Sequence, residues 1–129
     1  MHPAYSDTRF RCHVHPESWP EKFAILSAYA TTGFTWSPER NASADRALEE
    51  TLRQRGVWLH RLIGYSPHTQ HAEPSWACNM ELQEACTLGQ EFAQDALYWV
   101  EQDQLFVLQC HAPDRRVFVG GFAERLDPP

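Results

Sequence analysis

The sequence has almost no lysine. Lys22 is the single lysine among 11 basic residues, and the others are arginine. Acidic residues number 17, giving a formal charge of −6. That balance argues against a nucleic-acid partner, which needs a basic face over the phosphates. Arginine still makes bidentate contacts with carboxylates and phosphates, so a local anion site stays open beside the plainer reading of surface ion pairs and GC-rich coding bias. No apolar run is long enough to span a bilayer, so no membrane-spanning helix is expected. The opening "MHPAYSDTRF" lacks the apolar stretch of a signal peptide. Cys12, Cys78, Cys86 and Cys110 are scattered, with no CxxC. A reducing cytoplasm with free, mostly buried thiols is the expected setting. There is also no GxSxG, no phosphate-binding Walker loop and no HExxH.

What is present suits one domain. The chain has 129 residues, 43% of them hydrophobic, enough for a core without disulfides or metal. Residues 1–22 hold three prolines and little periodicity, and are expected to be an irregular arm. Its aromatics Tyr5, Phe10 and Trp19 predict that it packs on a domain spanning 23–126. "FAILSAY" (23–29), bounded by "TTG", reads as a buried strand. Ser37 is a helix N-cap with Pro38 in the first turn, and Gly56 is the left-handed stop. "VWLHRLIGY" and "PSWACN" read as strands around a polar turn. A second helix is expected over 80–94, capped by Asn79. Three strands, "ALYWVE", "QLFVLQCH" and "VFVGGF", follow, and the tail "AERLDPP" is expected to fray. The predicted fold class is α+β: a ferredoxin-like β-α-β-β-α-β core, two helices on one sheet face, extended by a C-terminal antiparallel meander.

Several polar residues sit where plain structure does not require them. Asn41 lies seven residues before Leu48, on the core-facing stripe of the first helix. Its amide either pins a neighbouring loop or faces a pocket beside the helix N-terminus. Pro74 holds Glu73 extended, and a carboxylate held in place suits a general base, a ligand anchor or a metal ligand. Strand alternation sets Glu73, Ser75 and Ala77 on one face and Trp76 and Cys78 on the other. A cross-strand pair between Glu73 and Arg61 is the structural alternative. Gln94 and Asp95 stand where the second helix gives way to a strand, at a junction able to face Glu73.

His68 and His71 form an HxxH on a turn rather than a helix. Cys12, His15 and Cys110 are a conceivable metal set, but zinc sites normally show tighter paired spacing, and no metal or other cofactor is predicted. Cys78 and Cys110 fall inside apolar strands, the setting of inert thiols. Of the five tryptophans most should be core; Trp36, ahead of the first helix, and Tyr29 either join the core or stack on a planar ligand or a partner side chain.

Taken together, "SAY" after an apolar strand, "SPERN" opening a helix backed by Leu48 and Leu52, Gly56, Gly64, Glu73-Pro74, Ala85 and "QDALYWV" from Gln94 resemble a bacterial and phage family that carries only a domain-of-unknown-function label. The resemblance runs from about Phe23 to Phe122. The family often has Asn-Pro after its first strand, where this chain has Tyr29-Ala30. It implies no reaction, cofactor or substrate, and it directs attention to Asn41, Glu73 and Gln94.

The expected function is binding of a small polar or nucleotide-like ligand. Asn41, Gln94, Asp95 and His71 would line the pocket, Tyr29 or Trp36 would stack, and Glu73 would accept a hydrogen bond or act as general base in a hydrolysis. The alternative is a non-enzymatic interaction module, such as an adaptor or a phage-type inhibitor of a host protein.

Overall fold

The computed structural model describes residues 7–31, 34–69 and 71–129. Tyr5 of the arm, the Thr32-Gly33 part of the "TTG" boundary and Gln70 of the polar turn lie outside them. The elements are β1 (Arg9–Arg11), β2 (Lys22–Leu26), α1 (Pro38–Gln54), β3 (Leu59–Tyr65), β4 (Ala72–Cys78), α2 (Leu82–Glu91), β5 (Ala96–Glu101), β6 (Gln104–Gln109), β7 (Val117–Gly121) and the short α3 (Phe122–Arg125). The seven strands form one antiparallel sheet in the order β1-β3-β4-β2-β5-β6-β7.

The helix ends follow from local chemistry. The Ser37 side chain accepts from the Arg40 N–H at 3.1 Å, Pro38 occupies the first turn, and Gly56 (φ +68°) follows the last. α2 begins at Leu82 rather than Met80, and Asn79 does not cap it. The Asn79 N–H donates to the Trp58 carbonyl, which keeps that residue with the sheet. α2 also stops early. Ala93 turns left-handed (φ 58°), the Ala93 N–H bonds the Gln90 carbonyl, and the Gln94 N–H bonds the Gly89 carbonyl at 2.9 Å. This is a Schellman stop with alanine where glycine is usual. Ala93 is exposed and packs on little. Ala93→Gly is therefore expected to raise stability by about 0.5–1 kcal/mol, read as a higher urea midpoint at unchanged m-value. The strands β5 and β6 are joined across Gln102 and Asp103, both left-handed (φ 51° and 65°), as a two-residue hairpin turn requires.

Each sheet face carries its own core. Leu48 and Leu52 of α1 and Ala85, Cys86 and Leu88 of α2 share one buried cluster with Ala24, Leu26, Trp76, Cys78, Leu97, Trp99 and Leu108. Gly89 lets α2 come close, since a Cβ there would lie 2.9 Å from Cys110 Sγ. The second cluster comprises Phe10, Phe23, Ile25, Leu62, Ala77, Val100, Leu105 and Phe122, with Trp19, Trp58 and Tyr98 packed against it.

The sheet curls around this second cluster because its two ends meet. Phe10 forms a parallel bridge with Leu126, and the Asp127 N–H donates to the Phe10 carbonyl at 2.7 Å. Arg9 pairs with Asp127 at 3.0 Å, and the Tyr65 hydroxyl donates to the same carboxylate at 2.6 Å. Thus residues 9–11, expected to be irregular, form a strand, and the tail, expected to fray, is held. The strand pairs with β3 more than fifty positions on, and the contacts that join it to the tail span more than a hundred positions.

Candidate functional site

The inner face is filled at one end and open at the other. Trp19 and Phe122 pack on Phe23 with ring centroids 5.5 and 5.2 Å away, closing the filled end. At the opposite end β2 leaves the sheet. Its pairing with β4 ends at Leu26↔Trp76, while β3 and β4 stay paired as far as Tyr65↔Ala72. Residues 72–75 of β4 therefore have a neighbour on one side only, which is why Pro74 is tolerated in an interior strand. The gap between β4 and β5 opens into a hollow of about 440 Å³. Phe10, Ile25, Leu97 and Tyr98 provide its apolar walls, and Ser27, Gly64, Glu73, Ser75, His71 and Gln94 are among its other lining residues.

Glu73 lies opposite Gly64, not Arg61, so the expected cross-strand pair with Arg61 does not form. Arg61 faces Trp76 in the register and instead binds Asp45 of α1 through both guanidinium ends, at 2.5 and 2.9 Å. The expected alternation holds: Ala77 belongs to the inner cluster, Trp76 and Cys78 to the helix-side cluster, and Glu73 and Ser75 continue the inner side into the hollow. Ser27 donates its hydroxyl proton to Glu73 Oε1 at 2.7 Å and accepts the Tyr29 N–H at 3.1 Å. Glu73 Oε2 faces His71 Nε2 at 3.6 Å, too far for a direct hydrogen bond.

Gln94 is buried, and both its amide hydrogens go to main-chain carbonyls, of Tyr29 at 2.7 Å and Phe92 at 3.2 Å. The Schellman stop of α2 carries it to this position. Asn41 does not line the hollow. Its Oδ1 accepts the Ala30 N–H at 2.9 Å, which pins the segment after β2, and Ala30 is itself a lining residue. Trp36 and Asp95 border an adjoining surface depression with Arg40 and His111, which shares Thr31, Phe34 and Gln94 with the hollow. There the Arg40 guanidinium lies 4.0 Å over the Trp36 ring, and Asp95 Oδ2 accepts from Thr31 at 3.3 Å. Tyr29 contributes its carbonyl to Gln94; its ring is not among the lining groups. Of the residues named from sequence, the hollow thus collects Glu73, His71 and Gln94.

Ser27, Tyr65 and Tyr98 were missed. Ser27 carried a signal: with Phe23 and Ile25 it follows a period-two pattern inside an apolar run, so a serine there must face the inner side.

A family model described as "Protein of unknown function (DUF3293)" matches residues 26–97. The chain belongs to that family. The DUF3293 span contains Ser27, Asn41, Glu73 and Gln94, whereas Thr8 and Phe10, which help wall the hollow, lie before it. No curated protein and no solved structure matches the chain.

Among the described residues no three histidine, cysteine or carboxylate side chains are grouped to hold a metal ion, and Cys12, His15 and Cys110 do not meet. No helix there is long and apolar enough to cross a membrane. All four cysteines are free. Burial pushes the Cys78 thiol from its ordinary 9.0 up to about 12, with Glu84 adding to the effect. Burial does the same to Cys110, raised to about 12 with help from Cys86 and Asp95. Burial thus stabilises the neutral thiol in the fold, while the unfolded thiol ionises near 9. Stability is therefore complete below that value and falls as pH rises from it toward 12, at up to roughly 1.4 kcal/mol per pH unit for each thiol. Urea midpoints should decline in this alkaline window, and the decline should be shallower in Cys110→Ala.

Proposed function

We propose that this protein binds a small polar ligand in the hollow at the open end of the inner face, with Glu73 as the anchor. The observation that carries this reading is a carboxylate fixed at one oxygen by Ser27 and left open at the other, inside an otherwise largely apolar recess. Gln94 orients the ligand from the opposite wall, and Asn41 acts through the Ala30 segment. Should the bound molecule be hydrolysed, Glu73 Oε2 is the atom that would accept the proton of the attacking water. The order β3-β4-β2-β5, with α1 and α2 as the crossovers, supports reading the centre of the sheet as ferredoxin-like.

Thermal-shift screening against polar metabolites tests the proposal. At least one should raise the melting temperature in a saturable way in wild type and not in Glu73→Gln. Equal stabilisation of both proteins by every hit would remove Glu73 from the role. A protein-interaction reading has one observation in its favour, the adjacent exposed side chains Val117 and Phe118 on the edge strand β7. It predicts no saturable small-molecule response at all.

A further inference from the structure

We infer that the hollow is built for a cationic, N–H-donating head group carried on an apolar body, such as an amidinium, guanidinium or primary ammonium. This rests on the reading of the hollow as a ligand site and specifies what enters it.

The inference comes from where the wall's own protons go. Ser27 gives its hydroxyl proton to Glu73, Ser75 to the Glu73 carbonyl at 3.2 Å, Tyr65 to Asp127 and Tyr98 to Thr8 at 2.7 Å. Gln94 spends both amide protons on main-chain carbonyls. Five potential donors are thereby turned onto the protein. Apart from the exposed His71 ring, whose Nε2 stands 3.6 Å from Glu73 Oε2, the groups left for a guest are chiefly acceptors: Glu73 Oε2 and the Gln94 carbonyl oxygen. A guest that is itself an acceptor finds few partners, and burying an acceptor unpaired is costly. Ser66 and Thr69 keep uncommitted hydroxyl protons, since they accept the main-chain N–H groups of His68 and His71, but Thr69 is exposed on the turn.

Charge points the same way. No lysine or arginine lines the hollow among the described residues. The nearby arginines are engaged elsewhere: Arg9 on Asp127, Arg11 over the Tyr65 ring at 5.0 Å, and Arg125 on the Thr8 and Val119 carbonyls. A phosphate or carboxylate would meet Glu73 with no lysine or arginine to offset it and only the exposed His71 ring beside it. A planar N–H fork would instead reach Glu73 Oε2, as carboxylate recognition favours, with Tyr98 and Phe10 beside the body that follows.

The test uses the full chain and four probes of similar shape: benzamidinium, benzylammonium, benzoate and benzyl alcohol, each titrated to millimolar concentration with two-dimensional amide NMR. Benzamidinium or benzylammonium should shift the amides of Gly64, Glu73 and Tyr98, and affinity should fall at least tenfold in Glu73→Gln while staying within a few-fold in Glu73→Asp. Benzoate or benzyl alcohol binding better than both cations would overturn the cationic class and leave the hollow as a ligand site. Cation binding unchanged in Glu73→Gln would overturn the anchoring role. Silence from all four at these amides would sink the ligand reading together with this inference. The probe comparison in wild type decides the charge class even where a variant folds poorly.

Discussion

Phe122→Ala should lower stability by about 3–5 kcal/mol, among the largest single-site effects in the chain. For a domain of this length that corresponds to a fall of roughly 10–20 °C in melting temperature. Phe122 is 3% exposed, and its ring contacts Trp19 at 5.0 Å, Phe23 at 5.2 Å and Phe10 at 5.9 Å. Truncation would leave a cavity that three other rings must collapse into, and they are anchored on β1, on β2 and on the segment between them. The damage should also spread to the closure of the curl. Phe10 loses its neighbour, so the Asp127 N–H that donates to the Phe10 carbonyl should exchange faster with solvent. Phe118→Ala is the internal comparison. That ring is 58% exposed and touches mainly Phe106, so its loss should cost about 1 kcal/mol or less. Equal effects of the two substitutions would show that the inner cluster is not what holds the sheet closed.

The contrast between those two phenylalanines also shows what sequence could reveal. α1 was legible at both ends because its signals are local: Ser37 and Pro38 at the start, Gly56 at the stop. The strands were legible from apolar runs and from turn residues such as Gln102-Asp103. Phe10 and Trp19 were rightly expected to pack on the domain, because aromatic rings in a proline-rich arm have no other way to leave water. Where they pack was not legible. The bridge from Phe10 to Leu126 and the pairing of Arg9 with Asp127 join opposite ends of the chain, and no periodicity encodes them. The candidate site was half legible for the same reason. Pro74 marked Glu73 as held in place, a local inference. Which group would hold it depended on register, and a three-residue offset sets Glu73 across from Gly64 and gives Arg61 to Asp45. Asn41 was correctly placed on the inward stripe of α1; that its amide would be spent on Ala30 needed the path of the segment after β2.

The Arg61–Asp45 pair yields the second large prediction, and the prediction is asymmetric. The Asp45 side chain is only 10% exposed, whereas that of Arg61 is 39% exposed and rests 4.0 Å over the Trp76 ring. Arg61→Met removes the one cation among the described residues bonded to a carboxylate that is largely shielded from water. The expected cost is about 3 kcal/mol, at the lower end of what breaking a buried pair costs, because one partner is partly solvated. Asp45→Asn leaves a guanidinium that can turn to solvent while keeping its contact with Trp76, so about 1 kcal/mol is expected. Replacing both, as Asp45→Leu with Arg61→Met, should recover most of the loss, since the two apolar side chains meet the helix-side cluster instead of stranding a charge. Urea unfolding of the two single variants and the double variant supplies the full cycle. Equal costs for the two single substitutions would contradict the assignment of the desolvation to Asp45. A double variant as unstable as the sum of the singles would show that the pair orients α1 on the sheet in a way that packing cannot replace.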